Sequence, residues 1–188
     1  MRYFTEEATH WDAPPQLFKS ASDAYKAHLA VLWPNLSSEM QTLAQTDLQD
    51  GLVRQVVVDY RATLVILRLR CGCFQDPKGR PMGYFDLDIH YREAVLTPPE
   101  LEVLKVAGQE RVELLYDEIE GEPEGLFLHR FLCAGFPGRR RGEFTVRFRD
   151  LELVRTPREQ RQGRLGWPRL RYVEIPSVTG KHQGHATP

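Results

Sequence analysis

Apolar residues follow a helical period early in the chain and alternate with polar ones from about Leu52 onward. Tyr3, Phe4 and Trp11 stand in an irregular lead-in as anchors, and Pro14-Pro15 is expected to hold off a helix. Ala21, Tyr25, His28, Leu29 and Leu32 then share one stripe, Ser20 and Asp23 have capping spacing, and Pro34 forbids continuation. A helix is expected over 20–33. A second begins after Ser37 or Ser38, with Glu39 in its first turn and Met40, Leu43 and Ala44 inward, and ends before Asp50-Gly51, forming a helical hairpin.

The alternating part predicts strands over 53–60, 63–71, 84–96, 111–119, 126–133 and 143–154. Thr97-Pro98-Pro99-Glu100 reads as a helix start and Gly108 as its stop, which places one short helix between strands three and four. Short connections at Arg61-Ala62, Gly121–Gly125 and 135–142 favour antiparallel neighbours, and 72–82 reads as a longer loop. The expected fold is α+β: a helical hairpin (1–50) on a mainly antiparallel sheet of about six strands (51–155), one domain. Alternation fades from Thr156, so 156–188 reads as a basic tail, with Tyr172, Val173 and Ile175 able to add an edge strand.

Composition narrows the class. With 188 residues, 41% hydrophobic and 27% charged, the chain can bury a core without disulfides or a structural metal. Apolar runs are too short for a membrane helix and no secretion signal is seen, so no membrane partner and a cytoplasmic location are expected; three cysteines fit a reducing compartment. The net charge of −1 argues against nucleic acid as the main partner, although charge is segregated: acid-rich over 86–124, arginine-rich over 139–171.

Three groups of residues carry candidate chemistry. Asp86, Asp88 and His90 alternate onto one side of a strand, a donor set for a divalent metal, but Arg68 and Arg70 on the neighbouring strand favour an ordinary charge ladder. Asp117-Glu118 and His129 lie on strands joined by a turn, where an acid and a histidine can form a general base, with Glu118 and His129 as catalytic candidates. Adjacent residues face opposite ways, so at most one of the two acids joins His129. Arg139, Arg140, Arg141, Arg155, Arg158 and Trp167 are candidates for gripping a partner. Cys71-x-Cys73 and His182-x-x-His185 have poor spacing for zinc, Cys133 reads as packing, and no cofactor is expected.

Met1-Arg2-Tyr3-Phe4-Thr5, Asp50-Gly51, Leu115-Tyr116-Asp117-Glu118-Ile119, Leu128-His129-Arg130-Phe131-Leu132 and Phe148-Arg149-Asp150-Leu151-Glu152-Leu153 resemble a bacterial family defined only as a domain of unknown function. Where that family often has a histidine before the aspartate, Gln49 stands here. The resemblance implies no reaction; related small α+β proteins near toxin and immunity genes suggest a binding role. The favoured reading is therefore a non-enzymatic protein-interaction module, immunity-type or regulatory. The alternatives are a metal-assisted hydrolase using Asp86, Asp88 and His90, and a nucleic-acid-binding accessory protein using the arginine-rich end.

Overall fold

The computed structural model describes residues 1–72, 84–138, 141–158 and 171–175. The fold is α+β, with helix α1 (Pro15–Leu32), a 3-10 turn (Trp33–Asn35) and helix α2 (Ser38–Ala44) ahead of the sheet. Strands β1 (Leu52–Asp59), β2 (Leu64–Cys71) and β3 (Tyr84–Arg92) follow, then helix α3 (Pro98–Gln109), strands β4 (Glu113–Gly121), β5 (Phe127–Ala134), β6 (Arg141–Phe148), β7 (Asp150–Arg158) and β8 (Arg171–Ile175). Seven strands form an antiparallel sheet in the order β6-β5-β4-β1-β2-β3-β7, and β8 runs parallel to β1.

Helix α1 begins at Pro15, ahead of the Ser20 start expected from the sequence. Proline suits the first helical turn, because its missing N–H would have no partner there and its φ is already helical. Ser20 therefore lies inside the helix. Ser37 caps α2 by accepting from the Met40 amide at 3.3 Å, and Thr97 and Glu100 form the reciprocal capping pair of α3, the Thr97 amide donating to Glu100 Oε2 at 2.6 Å. Helix α1 lies against β4, and α2 lies against β7.

The strand expected over 143–154 is two strands. At Arg149 the chain turns a corner, its amide donating to the Arg92 carbonyl at 3.1 Å, so β6 pairs with β5 while β7 pairs with β3. Together with a bridge between Val95 and Arg147, that bond curls the sheet toward itself. Val56, Leu67, Ile89, Leu104, Phe131, Val146 and Phe148 fill the interior, all 0% exposed. Gly135 shows how tight the β5–β6 corner is: its φ is +90°, and a Cβ there would stand 2.2 Å from the Arg111 carbonyl oxygen.

β1 pairs along its length with β2 but meets β4 only at Leu52–Glu113, then runs beside β8. The outer edge of β4 is thus left for α1 to satisfy. The Ile119 amide donates to the Tyr25 hydroxyl at 2.8 Å, and the Ile119 carbonyl lies 3.2 Å from His28 Nε2. Among the described residues, no helix is long and apolar enough to cross a membrane.

The 72–82 loop lies outside the described residues from position 73, and most of the expected tail does as well. Within the tail, 171–175 joins the sheet beside β1.

Candidate functional site

A buried polar trio occupies the centre of the curled sheet. The β4–β5 register sets Asp117 opposite Phe131 and Ile119 opposite His129, so Asp117 and His129 are near neighbours on the inner face. His129 Nε2 lies 3.0 Å from Asp117 Oδ2, and Nδ1 lies 2.8 Å from the Tyr91 hydroxyl on β3. With Nε2–H donating to the Asp117 carboxylate, Nδ1 is placed to accept the proton of the Tyr91 hydroxyl. Burial first, and the Asp117 charge second, hold the Tyr91 phenol well above its ordinary range, in keeping with its role as a donor.

The accessible end of this trio is the acid. Tyr91 and His129 are fully buried, while the Asp117 side chain keeps 19% of its surface. In a hydrolytic triad the acid is the buried member and the nucleophile faces the substrate. Here the order is reversed, with the Tyr91 hydroxyl bonded to His129 and its ring edge-on to Phe148, so the chain of bonds ties β3, β4 and β5 together.

Glu118 does not join His129. Its carboxylate, fully buried on the opposite face of β4, accepts three successive amides: Arg2 at 2.7 Å, Tyr3 at 2.6 Å and Phe4 at 2.5 Å. Phe4 stacks on Tyr116 with ring centroids 5.1 Å apart and meets Tyr25 edge-on at 5.4 Å, with Phe18 closing the groove at 5.9 Å. Further along, Arg141 donates to the Glu6 carbonyl at 3.3 Å, the Thr9 hydroxyl at 2.9 Å and the Thr9 carbonyl at 3.0 Å. Residues 2–9 therefore lie as a strap between α1 and the sheet. Beyond it, an open hollow of about 660 Å³ is lined by Glu6, Glu7, His10, Asp12, Pro14 and Leu17.

The metal candidates are spread along a ladder. Arg70 stands opposite Asp86 at 3.1 Å, and Arg68 opposite Asp88 at 2.9 Å, with Arg68 also donating to Gln55 at 2.8 Å. His90 faces Ile66 on one side and Glu152 on the other. Among the described residues, no three His, Cys, Asp or Glu side chains gather to hold a metal.

Of the partner-gripping candidates, Arg141 is the strap clamp, and Arg155 sits 3.9 Å over the Phe85 ring. Arg139, Arg140 and Trp167 lie outside the described residues, as do Cys73, His182, His185 and the Arg158 side chain. Cys71 and Cys133 are buried free thiols. Burial, reinforced by Asp117, pushes Cys71 up to about 12 and Cys133 well above the usual thiol range.

The sequence reading missed the exposed side of α1. No residue of this helix is buried. Trp11 is 84% and Val31 79% exposed, and Leu17 and Phe18 are also exposed, so four of the six large exposed apolar side chains among the described residues fall between Trp11 and Val31. The visible signal was the spacing of Leu17, Ala24 and Val31, seven apart along a helix. No family model, curated protein or solved structure matches the chain.

Proposed function

We propose that this protein is a non-enzymatic interaction module that binds a protein partner through the exposed side of α1 and the adjoining Trp11. The observation that carries this reading is the uncovered apolar side chains Leu17 and Val31 on α1, a helix with no buried residue, together with Trp11 just ahead of it. Isolated apolar residues on a surface are ordinary, but several on one helix are the usual mark of a contact face. The immunity-type or regulatory role implied by the family resemblance belongs to the same proposal, as does a cytoplasmic location, which the two free thiols favour.

The other readings draw less support from the geometry. A metal-assisted hydrolase would have to free Asp86 and Asp88 from Arg70 and Arg68, and nucleic-acid binding would compete with the internal engagements of Arg141 and Arg155. The test is affinity capture with the intact chain and a Trp11→Asp/Val31→Asp variant at physiological salt. A discrete protein held by the first and released by the second, with unchanged melting temperature, supports the reading. Identical capture by both rejects it.

A further inference from the structure

Helix α1 is held to the body by one side. The Tyr25 hydroxyl accepts from the Ile119 amide at 2.8 Å, His28 Nε2 lies 3.2 Å from the Ile119 carbonyl, and Phe18 rests on Phe4 and Tyr116 with ring centroids 5.9 and 5.5 Å apart. These contacts fix the rotation of the helix about its axis, and with it the side turned outward. There Leu17, Ser20, Ala24, Ala27 and Val31 are all exposed, three and four apart along a helix of 18 residues. At about 1.5 Å of rise per residue the stripe runs for about 21 Å.

Its order reads the same in both directions. The large side chains Leu17 and Val31 stand at the ends, small ones lie between, and Ala24 is seven residues from each end. Turned end for end about Ala24, the stripe fits onto itself: Leu17 meets Val31, Ser20 meets Ala27, and Ala24 meets Ala24. Small residues in the middle let two helix backbones approach closely, and the larger ends close over them.

The charges beside the stripe follow the same order. Lys19, Asp23 and Lys26 are exposed, and among the described residues none of their side chains has an ion-pair partner. The reversal that matches the apolar ends brings Asp23 of one helix level with Lys26 of the other, twice by symmetry. A parallel pairing in register would set Lys26 beside Lys26 and Asp23 beside Asp23, and would lose both matches.

We infer that the partner of this face is a second copy of the chain, two α1 helices packing antiparallel about a two-fold axis at Ala24. This rests on the reading of the protein as an interaction module and names the partner. Such an interface is the same patch on both copies, so each substitution in it acts twice.

Sedimentation equilibrium of the full chain over a concentration series tests this. The wild type is expected to pass reversibly from monomer to dimer. Ala24→Glu sets two carboxylates against each other at the axis and is expected to weaken the pair about a hundredfold or more. Glutamate is a good helix former and position 24 is exposed, so circular dichroism and melting temperature are expected to stay unchanged.

A charge exchange tests the direction of packing. Asp23→Lys and Lys26→Glu, each alone, bring like charges together and are expected to weaken self-association about tenfold. Mixed, the two chains face each other with opposite charges in both places and are expected to form a one-to-one pair about as tight as the wild type. A wild type that stays monomeric throughout, or a dimer that Ala24→Glu leaves intact, overturns the inference, as does a mixture no tighter than either variant alone. Capture of a different protein through Trp11 and Val31 by a chain that remains monomeric overturns the second copy and leaves the interaction reading standing.

Discussion

Asp117, and not the adjacent Glu118, meets His129, because β4 is bulged next to Leu115. The register passes from Leu114–Cys133 to Tyr116–Leu132 with one residue to spare, so Leu114 and Asp117 face the core together. Without the bulge, unbroken alternation from Leu114 would carry Glu118 inward. The two acids consequently serve opposite faces of one strand: Asp117 the buried histidine, Glu118 the strap.

The trio is expected to contribute to stability as a unit. Tyr91→Phe removes the donor to His129 Nδ1 and leaves a buried acceptor, at a cost of about 1–2 kcal/mol. Asp117→Asn with the same tyrosine change should cost less than the two single losses added together. Urea unfolding of the four proteins measures the coupling, and strict additivity would show that the groups do not act through His129.

Glu118→Gln keeps the shape of the side chain but removes the charge that receives three amides. A loss of about 2–3 kcal/mol is expected, together with faster hydrogen exchange at Arg2, Tyr3 and Phe4. Unchanged protection of those amides would contradict the anchoring role.

The two ladder rungs are not equivalent. The Arg68 side chain is 46% exposed and Arg70 11%. Arg68→Ala should stay within about 0.5 kcal/mol of wild type, since exposed pairs are screened by water. Arg70→Ala leaves the Asp86 carboxylate less well compensated and should cost about 1–2 kcal/mol. Equal effects in thermal or urea unfolding would mean that burial does not distinguish them.

Alkaline conditions should unfold the protein. Tyr91, Tyr25, Cys71 and Cys133 are all raised, in each case mainly by burial. Their neutral forms are favoured by folding, so this stability is complete below the unfolded thiol and phenol values of about 8.5 and 10 and declines as pH rises past them. Loss should therefore begin near about pH 9 and continue through the Cys71 value of about 12. Thiol reagents at pH 8 should leave Cys71 and Cys133 unreacted until the chain is unfolded. Rapid labelling of either in the native protein would contradict its burial.

The sheet was legible because alternation and β-branched residues mark one wet and one dry face, and Thr97-Pro98-Pro99-Glu100 carries its own capping chemistry. The Arg68–Asp88 and Arg70–Asp86 rungs followed from the same periodicity. What alternation does not encode is a change of parity. The bulge next to Leu115 and the corner at Arg149 each involve residues that read as ordinary strand, and only the pairing register reveals them. Phe4 was recognisable as an anchor, but its slot is made from Phe18, Tyr25 and Tyr116, whose meeting depends on where α1 lies.

The reading of the uncovered α1 surface as a partner interface is tested most directly by site-specific photocrosslinking in cells, with the reactive group placed at position 31 and, as a control, at position 88 on the ladder. A discrete protein adduct from position 31 and none from position 88 is the predicted result. Equal adducts from both positions, or none from position 31, would contradict the reading.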